Sequence, residues 1–209
     1  MRGWRTLAST ALVAVCALFA FASITHGFAA VTSDGVRRAD IASTPRVLPD
    51  LELVDSAGQH LSLHDYGRPS RQVTFVTLAY VRCRTVCLTS AAGQSWLQAE
   101  IQSRGLGDQV RLLTLSFDPA NDTPAVLAEH ARRLRADPAL WRFATVRDAA
   151  SLKAMLTLFG IVVLPDGLGG YSHNAALFLI GKDGRLSRAY DVDRPDLALA
   201  DHLREAIGP

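Results

Sequence analysis

Three features of the chain predict an α/β domain built on a central mixed sheet flanked by helices. From residue 73 onward, apolar β-rich runs alternate with segments of helical spacing. The first of those runs ends at a pair of cysteines, and a helical pattern starts directly behind them. A late β-hairpin with a glycine turn and a last helix close the chain. With 209 residues, 49% hydrophobic and 20% charged, there is enough apolar material for one packed domain plus a terminal segment. The net charge of +2 makes no case for a nucleic acid or another polyanion as partner.

Residues 1–30 read as an export segment. Arg2 and Arg5 precede an uncharged apolar stretch over 7–24, near the lower limit for spanning a bilayer. Ala20-Phe21-Ala22 and Gly27-Phe28-Ala29 offer signal-peptidase sites. The segment is therefore a positive-inside anchor or a cleaved signal peptide. The expected location is a bacterial inner membrane with the domain facing the periplasm, or the periplasm itself if the signal is removed. Cys16 reads as an apolar filler within this stretch. Residues 31–46 are polar and read as a linker, and 47–209 as the folded domain.

Within that domain, 51–54 and 60–63 flank Asp55-Ser56-Ala57-Gly58 and predict a short N-terminal β-hairpin. The run 73–78 is almost continuously apolar, as suits a strand buried on both faces. Leu88, Ala91, Ala92, Trp96, Leu97 and Ile101 recur at helical steps and predict the buried stripe of a helix ending near Gly105 and Gly107. A second buried strand covers 110–117. Thr123-Pro124 opens a helix that runs to about Arg135. A short strand is expected over 141–146 and a helix over 149–159, with Leu152, Met155 and Phe159 facing the core. Residues 160–164 are extended and 165–170 read as a flexible loop. A hairpin follows over 175–190, then a helix over 195–207. His26, His60, His64, His130 and His202 have no ligand partner nearby in the chain and read as solvated.

The centre of the chemistry is Cys83 and Cys87. A strand that stops at two thiols, which in turn open a helix, has the layout of a thioredoxin-type site. On a first helical turn, positions i and i+4 share a face. The positive helix N-terminus, with Arg82 and Arg84, should favour thiolate. A disulfide between them would close almost no loop, so stabilisation explains the pair poorly. Metal binding and redox exchange remain open.

Four blocks carry a family resemblance: residues 80–87, Leu115-Ser116-Phe117-Asp118-Pro119, Asp122-Thr123-Pro124, and Tyr171-Ser172-His173-Asn174. Over 49–203 the chain resembles the SCO/SenC family, thioredoxin-fold, membrane-anchored copper proteins that serve cytochrome c oxidase assembly. The resemblance implies one copper ion per chain, as Cu(I) or Cu(II), held by Cys83, Cys87 and His173. Soft thiolates suit Cu(I), imidazole suits both oxidation states, and such a set leaves an open coordination position. Asp118 either supports that site from behind or simply makes an Asp-Pro turn. Two features depart from the family's pattern. Arg84 and Leu88 replace the prolines that usually follow each cysteine, and Ser172 replaces an Asp before the histidine that could orient its ring.

The implied function is a metallochaperone that delivers copper to the CuA site of an oxidase subunit, which is not strictly an enzyme. The alternative is a thiol–disulfide oxidoreductase acting through Cys83 and Cys87 on cysteines of the oxidase or of other exported proteins. A copper or redox sensor signalling through the anchor ranks last. His173 separates the first two, since thiol exchange has no use for an imidazole ligand.

Overall fold

The computed structural model describes residues 2–25, 32–68, 71–83 and 86–207. It comprises two compact units, Met1–Ser43 and Thr44–Pro209. His26 and the Gly27-Phe28-Ala29 site lie outside the described residues, as do Arg84 and Thr85.

The first unit holds α1 (Arg2–Ile24) and α2 (Ser33–Ser43). Within α1, Thr6–Ile24 is long and apolar enough to cross a membrane, with a mean hydropathy of 2.3. Cys16 is exposed on it as a free thiol. The stretch expected to be a linker is helical for most of its length. Thr32 Oγ1 caps it by accepting from the Gly35 N–H at 3.0 Å, and Asp34 pairs with Arg37 one turn on at 3.1 Å. Its polarity signalled solvent, and these local bonds turn polar residues into a helix.

The second unit is built on an eight-stranded sheet. Its strands are β1 (Arg46–Val47), β2 (Glu52–Asp55), β3 (His60–Ser62), β4 (Val73–Ala79), β5 (Val110–Ser116) and β6 (Trp141–Val146). The pair β7 (Val163–Pro165) and β8 (Tyr171–His173) forms a separate hairpin, and β9 (Leu177–Ile180) and β10 (Arg185–Tyr190) complete the main sheet. The order is β1-β10-β9-β4-β5-β6-β2-β3, with β4, β5 and β6 parallel and the other pairings antiparallel. This is the mixed, thioredoxin-like sheet that the alternation predicts. The N-terminal hairpin β2–β3 extends it beyond β6, turning where Asp55 Oδ1 accepts the Ala57 and Gln59 N–H groups. A 3-10 turn, Leu63–Gly67, follows β3.

Helices cover both faces. α3 (Val86–Ser103), α4 (Pro124–Arg133) and α6 (Pro195–Ile207) bury Leu97, Ile101, Leu127 and Leu199 against Phe75, Leu112, Trp141 and Phe143. Each such fully buried side chain contributes roughly 1.5–3 kcal/mol. On the other face α5 (Ala149–Phe159) sets Phe159 against Phe178 with ring centroids 4.9 Å apart. Asp148 caps α5 at its start, and Gly160, at φ 64°, ends it in the left-handed conformation that glycine tolerates.

The buried stripe of α3 differs from the expected one. Leu88 (62% exposed) and Trp96 (38%) face outward, while Ser90 and Gln94 are buried and Gly93 is buried toward the α6 connection. Gly93 is the reason for the close approach. A Cβ there would lie 2.9 Å from the Val192 carbonyl oxygen at the start of the α6 connection. Gln94 then donates inward to Thr77 Oγ1 and the Leu113 carbonyl. The 165–170 segment is likewise no loose loop. Asp166 Oδ1 accepts the Leu168 and Gly170 N–H groups at 2.7 and 2.9 Å, closing a tight turn between β7 and β8.

Candidate metal centre

Three elements deliver the candidate ligands. β4 ends at Ala79 and the chain turns, with the Cys83 N–H donating to the Tyr80 carbonyl at 3.2 Å. Cys87 is the second residue of α3, and His173 is the last residue of β8. Cys83 therefore precedes the helix, and the two thiols do not share its first turn as expected. The turn is held away from helical geometry at successive residues. The Val81 N–H donates to Asp122 Oδ2 at 3.0 Å, and Arg82 reaches Asp118 Oδ2 at 3.5 Å.

The ligand atoms nevertheless converge. One atom each from Cys83, Cys87 and His173 lie within 4.8 Å of one another, and His173 Nε2 is 3.3 Å from Cys87 Sγ and 4.0 Å from Cys83 Sγ. Both cysteines are buried and reduced, each 7% exposed. The imidazole is set up as a ligand. Its Nδ1–H is placed to donate to the Asn174 carbonyl at 2.9 Å, leaving the Nε2 lone pair toward the sulfurs. Burial pushes its pKa below the ordinary histidine value, so the ring is neutral at pH 7. That carbonyl supplies the orientation that Ser172, which is exposed, does not.

The thiol electrostatics correct the expectation of easy thiolate formation. Burial raises the Cys87 pKa strongly, and the hydrogen bond it shares with Cys83 adds to the rise. Desolvation of the charged form outweighs the helix N-terminus. In the metal-free state Cys87 holds its proton, and a thiophilic cation must displace it.

Two aromatic rings pack against His173 and a third packs against those two, and sequence reasoning assigned none of them a role. Phe117 lies 4.9 Å from the imidazole and Tyr80 6.1 Å, while Tyr171 stacks edge-on against Tyr80 at 5.2 Å. The Tyr80 hydroxyl donates to the Tyr171 carbonyl at 3.4 Å and accepts the Tyr171 N–H at 3.1 Å. It thereby clips the hairpin that carries His173 to the segment that carries Cys83. The signal was present, since Tyr171 stands two residues before His173 on one strand and shares its face.

Asp118 lies outside the sulfur–imidazole group. It is 2% exposed, and both carboxylate oxygens accept from Asn121 Nδ2 at 2.8 and 3.0 Å. Its contact with the site runs through Arg82. Behind the cysteines lies a cavity of about 60 Å³ lined by Thr77, Thr114, Ser90, His130 and both thiols, among mainly apolar neighbours. The other histidines are not uniformly solvated. His130 packs edge-on against Phe143 at 5.8 Å, and His202 is 3% exposed. His60 does stay at the surface, paired with Glu52 at 2.8 Å. Arg132 and Arg133 both pair with Glu129 on the exposed side of α4.

A thioredoxin-like domain with two thiols at the β4–α3 junction and a histidine from a late hairpin defines a protein able to hold one soft metal ion. Comparison with known proteins makes the class specific. The SCO1/SenC family profile matches residues 39–208, and the chain belongs to the SCO1/SenC family. It is 25% identical over 122 residues to the SCO1 protein homolog of Bacillus subtilis (strain 168), covering 57% of this chain and 62% of that one. A structure of Bradyrhizobium japonicum ScoI with copper bound superposes with a TM-score of 0.61 at 22% identity, covering 76% of this chain and 98% of that one. BsSco, a member of the Sco family of cytochrome c oxidase assembly proteins in which a disulfide switch has been identified, superposes at 0.66 with 20% identity, covering 79% and 96%. At these identities the structural likeness establishes the fold.

Proposed function

We propose that the chain is a metallochaperone. It binds one copper ion through Cys83, Cys87 and His173 and delivers it to the CuA site of a cytochrome c oxidase subunit. The observation that carries the reading is the meeting of two sulfurs and a neutral Nε2 within 4.8 Å, contributed by parts of the chain about 90 residues apart. Family membership and the copper held by the ScoI neighbour select copper among the soft metals such a set accepts. Three protein ligands leave a coordination position for a ligand of the recipient, so the ion passes by exchange and is never stripped bare. Asp118 supports the site through Arg82. The apolar helix at the N-terminus serves as an inner-membrane anchor, with the domain on the periplasmic side, or as a signal that is removed.

Thiol–disulfide exchange is the second reading, favoured by the closeness of two reduced cysteines. One thiolate would attack a partner disulfide and release a partner thiolate. The other would then displace the partner, leaving a Cys83–Cys87 disulfide and a reduced partner. The burial of both thiols and the raised Cys87 pKa weigh against it as the main activity.

The test is a copper titration of the full-length chain in detergent. One copper per chain is expected, with thiolate-to-copper absorption abolished in Cys83→Ala and binding strongly weakened in His173→Ala. Equal affinity without His173 would remove the imidazole from the ligand set. Rapid reduction of a CuA-type disulfide with no copper requirement would favour the second reading.

A further inference from the structure

The turn that presents Cys83 is held from below by a side chain outside the ligand set. Asp122 is 0% exposed, a costly place for a carboxyl group unless its hydrogen bonds repay burial. Its Oδ2 accepts two of them, from the Val81 N–H at 3.0 Å and from the Ser116 hydroxyl at 2.5 Å. Its own N–H donates to the Asp118 carbonyl at 2.8 Å, and the Asp118 N–H donates to Ser116 Oγ at 3.0 Å. The carboxyl group is thus fixed between the end of β5 and the start of α4. Its Oδ1 has no partner among the described residues, and the group lines a cavity of about 10 Å³ together with Thr114 and His130.

Val81 is a central residue of the Tyr80–Cys83 turn, which the Cys83 N–H closes onto Tyr80. A bond to its amide sets the plane of that turn and hence the direction in which Cys83 leaves it. The adjacent contact, Arg82 to Asp118, involves an exposed guanidinium at 3.5 Å and constrains far less. We infer that Asp122 is a positioning residue, whose bond to the Val81 amide holds Cys83 Sγ toward His173 Nε2. The metal-binding consequence rests on the reading proposed above, but the positioning itself does not, because it is measurable without metal.

The experiment uses the reduced, copper-free full-length chain in detergent. Alkylation of Cys83 and Cys87 is followed by mass spectrometry in wild type, Asp122→Ala, Asp122→Asn and Thr123→Ala. Thr123→Ala is the control, because Thr123 caps α4 by accepting from the Val126 N–H without touching the turn. Losing a buried hydrogen bond to the turn should release Cys83 about 5- to 100-fold in alkylation rate in Asp122→Ala. Cys87, anchored in α3, should change far less. Asp122→Asn keeps an oxygen acceptor for Val81 and should restore the wild-type ratio, and Thr123→Ala should leave the ratio unchanged. Equal acceleration of both thiols, or a Thr123→Ala profile matching Asp122→Ala, overturns the inference.

Should Asp122→Ala fail to fold, amide exchange in the wild type decides. A Val81 amide that exchanges at the rate of an unprotected peptide refutes the bond, and one protected like its β4 neighbours supports it. A copper titration of the same variants separates the two proposals. Faster Cys83 alkylation in a protein whose wild type binds no copper would refute the chaperone reading and leave the positioning role standing.

Discussion

Replacing Tyr80 by Phe isolates the clip between the two halves of the site. The ring is retained, and with it the contacts to Phe117 at 5.3 Å, Tyr171 at 5.2 Å and His173 at 6.1 Å. Only the hydroxyl goes, and with it the bonds to the Tyr171 N–H at 3.1 Å and carbonyl at 3.4 Å. Each such bond contributes a net 0.5–1.5 kcal/mol or so, the longer one at the low end, for a total of about 1–2 kcal/mol. Because β7 and β8, among the described residues, pair only with each other and stand outside the main sheet, the loss falls on how the His173 arm is held. A loosened arm must be ordered again when copper binds, so affinity should drop by about 5- to 30-fold. Competition titration against a copper chelator measures this, with urea unfolding run beside it. Copper affinity equal to wild type, with the whole loss appearing in global stability, would refute the idea that the hydroxyl organises the site.

Gly93→Ala should destabilise the second unit by about 1–3 kcal/mol, because its Cβ would press within 2.9 Å of the Val192 carbonyl and separate α3 from the α6 connection. A urea midpoint unchanged from wild type would show that the backbone there gives way freely. Acidification should destabilise the copper-free domain, since burial lowers the pKa of His202, and likewise of His130 and His173, below the ordinary 6.5. The unfolded chain binds those protons first. Stability is therefore complete above pH 6.5 and is lost as the pH falls through that value toward the folded pKa. Each unit of depression is worth about 1.4 kcal/mol at the acid end of the window. Urea unfolding at pH 7.5 and 5.5 should show the loss, with a smaller loss in His202→Asn, and a flat profile would contradict the burial of these rings.

Several elements were legible from local pattern. The helices over 149–159 and 195–207 occupy the residues their spacing indicated, and the strand entering the cysteine pair is as buried as its apolar run implied. Helical spacing misjudged α3, where Leu88 and Trp96 point outward. There a glycine and a glutamine face inward because close backbone approach and a buried amide matter more than the count of apolar side chains. His202 was misread for the same reason, as nothing beside it in the chain reveals what packs over it.

Short-range chemistry, written in periodicity, caps and turn residues, was enough to lay out the strands and helices, the apolar N-terminal helix and the thiol pair Cys83 and Cys87, while His173 was named as a ligand through the family resemblance. Only the folded domain decided that Cys83 leaves from a turn, that Cys87 resists ionisation, that a backbone carbonyl orients the imidazole, and that Tyr80 and Asp122 hold the parts together. The orienting carbonyl is the next residue's, but the ionisation of Cys87 and the bonds of Tyr80 and Asp122 depend on desolvation or on residues far apart in the chain, and both arise when the layers close around the site.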